Sequence, residues 1–161
     1  MINSYKIVYK RKNNMHLKII NFFFYLFLIH LNVNVLNASN IIYGAVELKK
    51  SNTFLKVEIA DTIEKRRKGL MFRKFLDKEK GMLFVLPSED LASVWMKNTL
   101  FSLDIIFISK DKLIVDFIEK TIPLSEKIYT TKKNIKYILE VNSGLIESLK
   151  IRLGDEINIE Y

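Results

Sequence analysis

The sequence predicts a mainly β protein, a β-sandwich or barrel-like single domain with two short helices. Three observations carry this expectation. Short runs of branched and aromatic residues recur with turn signals every 8–12 residues or so, the spacing of sandwiches and barrels. Thr53-Phe54-Leu55-Lys56-Val57-Glu58-Ile59-Ala60 alternates, with Leu55, Val57 and Ile59 on one face and Lys56 and Glu58 on the other, the mark of a half-buried strand. Only two segments, roughly Thr62–Leu70 and Leu145–Leu149, read as helix.

Taken in order, Ile41 to Lys50 reads as a lead-in strand before the alternating one. Asp61 then stands where a helix cap is needed, with Glu64 three residues on as its capping-box partner, and Gly69 near the end as a breaker. Ile63, Leu70 and Arg67 share a face of this helix, while Lys65, Arg66 and Lys68 turn to water. Asp77-Lys78-Glu79-Lys80-Gly81 is a turn, and Met82–Leu86 is a continuous apolar run, as in a strand covered on both faces. Pro87-Ser88-Glu89-Asp90 should end it. Leu91–Met96 and Leu103–Ile108 form strands on either side of the polar break Lys97-Asn98-Thr99. Leu113–Ile118 follows a hairpin turn at Lys110-Asp111-Lys112. A loop begins at Pro123-Leu124-Ser125. Ile135–Val141 is another strand, Asn142-Ser143-Gly144 leads into the second helix, and Glu156–Glu160 closes the chain.

The chain has 161 residues, enough for one domain and a short appendage. Residues 1–38 read as a signal peptide or N-terminal anchor, and residues 39–161 as the single β-rich domain. Lys18 precedes a dense apolar run from Phe22 to Leu31, and small residues follow up to Ala38-Ser39. That is the order of a secretory signal peptide. The dense run is shorter than the ~20 residues a spanning helix needs. The expectation is export to the periplasm or beyond, with cleavage after Ala38; the competing reading is an uncleaved anchor from Ile19 to Leu36. Either Met1 or Met15 serves as the start. Membrane contact is expected only through this segment.

The formal charge of +8 shrinks once the appendage is set aside. Five of the 26 basic residues (Lys6, Lys10, Arg11, Lys12, Lys18) precede Glu47, the first acidic one; the remaining 21 face 18 acidic residues, a balance of +3. A nucleic-acid partner would ask for clustered basic residues on one face, so none is expected. There is no Cys, and both His, His16 and His30, lie in the appendage. The domain therefore holds no thiolate, no His base, no Ser-His-Asp triad and no tetrahedral zinc set within one chain. No cofactor is implied.

The chain also carries Ala60-Asp61-Thr62, Gly69-Leu70-Met71-Phe72-Arg73, Gly81-Met82-Leu83-Phe84, Trp95-Met96-Lys97-Asn98-Thr99, Leu103-Asp104-Ile105, Pro123-Leu124-Ser125, Tyr137-Ile138-Leu139-Glu140 and Gly154-Asp155, in that order. With these blocks, residues from about Leu55 to Ile159 resemble the bacterial and archaeal family known as domain of unknown function 192. The resemblance implies a mainly β fold, often behind a signal peptide, and supplies no activity. Two departures stand out. Ser102 replaces a usual Pro, which loosens the turn before Leu103. Lys150 replaces a usual Gly, which carries a steric cost if the backbone there is left-handed.

The candidate site is the block around the single Trp. Trp95, Lys97, Asn98, Thr99 and Asp104, with Arg73 and Glu140, would make a ligand-binding pocket in which Trp95 stacks, Lys97 holds an anion and Asn98 donates hydrogen bonds. The architectural alternative makes Trp95 core, Asn98-Thr99 a turn, and Asp104 a cap or the ion partner of Lys97 or Arg73. Arg66, Arg73, Asp61, Asp104 and Glu140 would otherwise form an ion network or a carboxylate pair for hydrolysis, which needs the two groups about 5–9 Å apart. Ser125–Lys127 and Ser93–Lys97 are nominal Ser–Lys pairs. Met71, Met82 and Met96 offer thioethers of the kind that suit copper(I), although Met more often fills core gaps. The reading is a ligand-binding or interaction module for an unidentified small molecule or protein. The alternative is a carboxylate-dependent hydrolase, with Met-based copper(I) binding behind it.

Overall fold

A computed structural model of the chain describes residues 41–161. The expected signal peptide or anchor (residues 1–38), its cleavage site and the choice between Met1 and Met15 lie outside the described residues. The nine strands are β1 (Tyr43–Leu48), β2 (Thr53–Ala60), β3 (Lys80–Asp90), β4 (Ser93–Trp95), β5 (Leu103–Ile108), β6 (Ile114–Ile118), β7 (Ile128–Thr130), β8 (Ile135–Asn142) and β9 (Ile157–Glu160). Helix α1 spans Ile63–Lys68 and α2 spans Leu145–Leu149; a 3-10 turn covers Lys49–Ser51.

Seven strands form one curled sheet, a half-barrel, in the order β6-β5-β8-β3-β2-β1-β9. All its neighbours are antiparallel except β2 and β3. A parallel pair needs a crossover, because the chain must return to the same end of the sheet. Residues 61–79, with α1 at their start, are that crossover. It lies next to the middle of the sheet, and it positions the site described below.

Both faces of the central strands are covered, so all six residues of β5 are buried, five of them apolar and the sixth Asp104. On one face Leu55, Val57, Leu83, Ile106, Leu139 and Val141 pack with Ile146 of α2. On the other Met82, Phe84, Ile105, Phe107 and Ile138 pack with Leu70 from the crossover and Met96 from the end of β4. Strand alternation places Met96 opposite to Trp95, and Met96 does join Met82 and Phe84 while Trp95 is 46% exposed. Met96→Ala should therefore cost about 3 kcal/mol in a urea melt, the range for a truncated core Met. Lys97→Ala should cost under ~0.5 kcal/mol, because its ion partner among the described residues is an exposed Glu126.

The structure revises several local expectations. The cap of α1 is Thr62, whose side chain accepts from the Lys65 N–H at 3.2 Å; Asp61 instead takes an ion pair from Lys65 Nζ at 2.8 Å. A hydroxyl one residue later reaches the orphan N–H, and the helix starts one residue later in consequence. Strand β3 does not stop at Pro87. It continues to Asp90 with a register break between Val85 and Asp90, where a residue without an N–H costs no ladder bond. Leu91–Met96 contracts to β4, which leaves the main sheet and pairs with β7 in a two-stranded ribbon. Strand β7 lies within the stretch read as loop.

The two family departures resolve differently. Ser102 Oγ donates to the Thr121 carbonyl at 2.7 Å, a tether that Pro would lack. Lys150 ends α2 at φ 52°, ψ 45°, in the left-handed region. Lys150→Gly should raise stability by about 1 kcal/mol, the cost of a side chain in that conformation. A thermal melt checks it, and no gain would mean that the α2 cap is not strained.

Candidate functional site

One strand of the central sheet breaks its own pattern. On β8, Ile135, Tyr137, Ile138, Leu139 and Val141 are buried apolar groups, and Glu140 is buried among them at 4% exposure. Glu140 pairs with Met82 on β3 and Ile105 on β5, in the middle of the sheet. Among the described residues no group hydrogen-bonds its carboxyl. Burial alone pushes its pKa up to about 8, because nothing nearby compensates the charged form. No fully enclosed side-chain nitrogen or oxygen lacks a partner. The Glu140 oxygens therefore open onto a space.

That space is a pocket of about 370 Å³ between the crossover and β4. Its floor is Glu140, Thr99, Phe84, Ile138 and Leu70, all buried; its rim is Ile63, Arg67, Lys68, Ser93 and Trp95, all exposed. Met71, Leu86, Ala92 and Val94 line the wall between. The volume is that of a small-ligand site, and so is the mixture of apolar wall with few polar groups.

Local structure holds the wall in place. Gly69 ends α1 at φ 47°, and a Cβ there would stand 3.3 Å from Phe84 Cζ, so a side chain at this position would press on the floor. Arg66 Nη1 donates to the carbonyls of Asp61 (2.6 Å) and Val85 (2.9 Å), which ties the helix to β3. The Phe72 N–H donates to the Asn98 carbonyl at 2.8 Å, and the Leu124 N–H to the Thr99 carbonyl at 2.9 Å. The turn after β4 is thus fastened on both sides, and Thr99 is fixed facing the pocket.

Of the residues singled out from sequence, Trp95, Thr99 and Glu140 come together here, with Arg66, Met71 and Ser93. The others go elsewhere. Trp95 is not core. Lys97 lies 3.1 Å from Glu126 and 5.2 Å from the Trp95 ring centre, on the outer side of β4. Asn98 sits at φ 58° and serves through its backbone. Arg73 forms a forked pair with Glu58, Nη2 to Oε2 at 2.7 Å, and the Arg73 hydrogen bonds hold Glu58 below the usual carboxylate range. Asp104 pairs with neither Lys97 nor Arg73. It is fully buried and accepts three backbone N–H bonds, from Lys120 (2.9 Å), Gly144 (2.9 Å) and Ile146 (3.0 Å). Met82 and Met96 are core and only Met71 lines the pocket. Ser93 lines the rim without Lys97, so the two do not share this cavity.

Sequence reasoning missed Arg67 and Lys68 as pocket residues. Lys68 read as part of the solvated face, and Arg67 as a neighbour of Ile63 and Leu70 on the inner one. The available signal was the Gly immediately after three cations, a helix end aimed at whatever the crossover covers.

Residues 45–159 match the model of a family described as "Uncharacterized ACR", domain of unknown function 192. A UPF0127 protein of Thermococcus kodakarensis is 39% identical over 105 residues, 64% of this chain and 64% of that protein. One from Pyrococcus abyssi is 36% identical over 104 residues, 63% of this chain and 84% of that protein. The chain thus spans under two thirds of the Thermococcus kodakarensis relative. Among solved structures, a protein of unknown function from Novosphingobium aromaticivorans is similar at TM-score 0.69 and 32% identity, over 76% of this chain and 89% of that one. A Sinorhizobium meliloti protein described as a candidate transcription regulator is similar at TM-score 0.67 and 32% identity, over 73% and 92%.

Proposed function

This chain belongs to the domain of unknown function 192 family, and from that premise we propose that it is a small-molecule-binding module whose site is the Glu140 pocket. One observation carries the reading. A carboxyl at 4% exposure, with no hydrogen-bond partner among the described residues, faces a 370 Å³ pocket. Burial makes the charged form of this carboxyl costly, which holds its pKa up at about 8. Stability alone favours Leu or Ile there, as at its neighbours on β8, so a ligand is the natural partner of this group. The site centres on Glu140, Thr99 and Trp95 rather than on Lys97 and Asp104.

The hydrolase reading has less support. Paired carboxylates need a second acid in the same cavity, and Glu140 is the only Asp or Glu lining this one. A transcription-regulator role, as the Sinorhizobium meliloti protein is described, has less support from a domain with 21 basic against 18 acidic residues. The order Lys18, Phe22–Leu31, Ala38 supports export, so the site would work outside the cytoplasm. N-terminal sequencing of exported protein should begin near Ser39; an intact start in a cytoplasmic pool would sink that part.

Trp95 is the single Trp of the chain and sits on the rim, so its emission reports on the pocket directly. A fragment screen on the full chain should yield compounds that shift Trp95 emission saturably, and Glu140→Leu should abolish those responses while the domain stays folded. Responses unchanged in Glu140→Leu would place the ligand elsewhere. A complete lack of responses would remove the proposal.

A further inference from the structure

The geometry points to a ligand class for this pocket: an ω-amino acid, with its ammonium on Glu140 and Thr99 at the floor, its anionic group on Arg67 and Lys68 at the mouth, and an apolar chain between. The inference rests on the pocket being a ligand site and specifies what it takes. Three layers support it. The side-chain polar atoms at the floor are all oxygens, two from Glu140 and one from Thr99, and none has a hydrogen-bond partner among the described residues. The wall is Met71, Leu86, Ala92 and Val94, with no charge. The mouth carries the cations, Arg67 and Lys68, both exposed and neither in an ion pair among the described residues. Arg66 is held by its two carbonyls and is less available.

Simpler ligands match only one end. An ammonium has three N–H groups for three floor oxygens, but a plain amine meets two cations on the way in and leaves them unanswered. A plain carboxylate is drawn to the mouth, yet its other end gives the floor no donor. An α-amino acid carries its charges on neighbouring atoms and cannot place them at opposite ends of the pocket. Separated charges on an apolar chain satisfy both ends and bury the chain between.

The proton balance is explicit. Before binding, Glu140 is a neutral acid. When the ammonium seats, the Glu140 O–H bond breaks, the proton leaves to solvent, and the ligand N–H groups donate to the resulting carboxylate. The ligand keeps its own charge state. The charged groups that share the pocket with Glu140 are Arg66, Arg67 and Lys68 from the crossover; β3, β4 and β8 contribute uncharged groups such as Phe84, Trp95 and Ile138.

The test uses the full chain, with 6-aminohexanoate, hexanoate and hexylamine as probes, Trp95 emission for affinity, and calorimetry near neutral pH in two buffers of different ionisation heat. 6-Aminohexanoate should bind at least about tenfold more tightly than either single-ended probe, a difference of about 1.4 kcal/mol, and should release close to one proton per molecule. Glu140→Gln should remove that release and at least about tenfold of affinity. Replacing Arg67 and Lys68 together by Ala should lower affinity for 6-aminohexanoate and leave hexylamine no weaker. If 6-aminohexanoate binds no better than hexanoate and hexylamine, or binds without proton release, the ligand class is wrong while the pocket reading stands. If no probe and no fragment reaches Trp95, both fall together.

Discussion

Asp104→Ala should lower the unfolding free energy by about 4–6 kcal/mol in a urea titration, a large part of the stability of a domain this size. Helix α2 has five residues, far below the length at which a helix holds itself in water. Its N-cap is Gly144 at φ 91°, with no side chain to cap the first turn. Asp104 supplies the missing cap from another strand. It lies on the same face of β5 as Ile106, which packs toward Ile146 of α2. One oxygen takes the N–H groups of Gly144 and Ile146, and the other takes that of Lys120. Three charge-assisted bonds thus tie the loop after β6 and the start of α2 to the middle of the sheet. Alanine leaves all three donors without an acceptor in a buried place. Asp104→Asn keeps one oxygen for the helix but presents an NH₂ where the other N–H points, so it should lose about half as much. A loss below ~1 kcal/mol for Asp104→Ala would mean that the carboxylate is not the brace of α2. Fragment responses at Trp95 should survive in the Asn variant, since Asp104 does not line the pocket.

The strands were legible where sheet and sequence obey the same local rule. Thr53–Ala60 alternates because one face meets the core and the other meets water, and β2 occupies those residues. Leu103–Ile108 is apolar but for Asp104 because the sheet is covered on both faces, and β5 matches it residue for residue. Strand β7 was not legible. Only Tyr129 of its three residues is buried, so Ile128-Tyr129-Thr130 carries no pattern that separates it from loop. The ribbon partner β4 leaves the main sheet for the same reason: its pairing is set by contacts 33–37 residues away, from Trp95↔Ile128 to Ser93↔Thr130. The site was legible in part. Trp95 and Thr99 stand out by type, but Lys97 and Asp104 look equally chemical and serve elsewhere. What separates them is which side of a strand faces the crossover, and that depends on the parallel pairing of β2 with β3. Glu140 stood among the candidates, but its place at the pocket floor depends on the same fact. An acid in a β run ordinarily marks the wet face, and only a sheet covered on both sides turns it into a buried one.

Glu140 should also write its signature on the pH dependence of folding. In the unfolded chain this carboxyl ionises near its ordinary 4.5; in the fold it stays protonated until about 8. Between those values the folded state binds the extra proton, so stability falls as pH rises through the window and levels off above it. This is opposite to the behaviour of Glu58, whose lowered pKa adds stability above about 4.5 that is lost only as pH falls further. The two effects occupy different ranges. Lys112, lowered from 10.5 by burial, and Tyr161, raised from 10.0 by burial, act mainly at the alkaline end. Among the described residues there is no His, so within them the interval from about 5 to 8 is left mainly to Glu140. A shift of this size corresponds to a loss of about 4–5 kcal/mol across the window. Urea midpoints of the wild-type chain should therefore decline from pH 5 to pH 8, and those of Glu140→Gln should stay nearly level. Glu140→Leu should be level too, and more stable than wild type at pH 8 by several kcal/mol, because an apolar group suits that face of β8. A saturating ligand that ionises Glu140 should reduce the decline by favouring the fold more as pH rises. A wild-type profile as level as that of Glu140→Gln would mean that the carboxyl ionises freely in the fold, that water or a counter-charge reaches it, and that the pocket floor is wet and charged rather than dry and neutral.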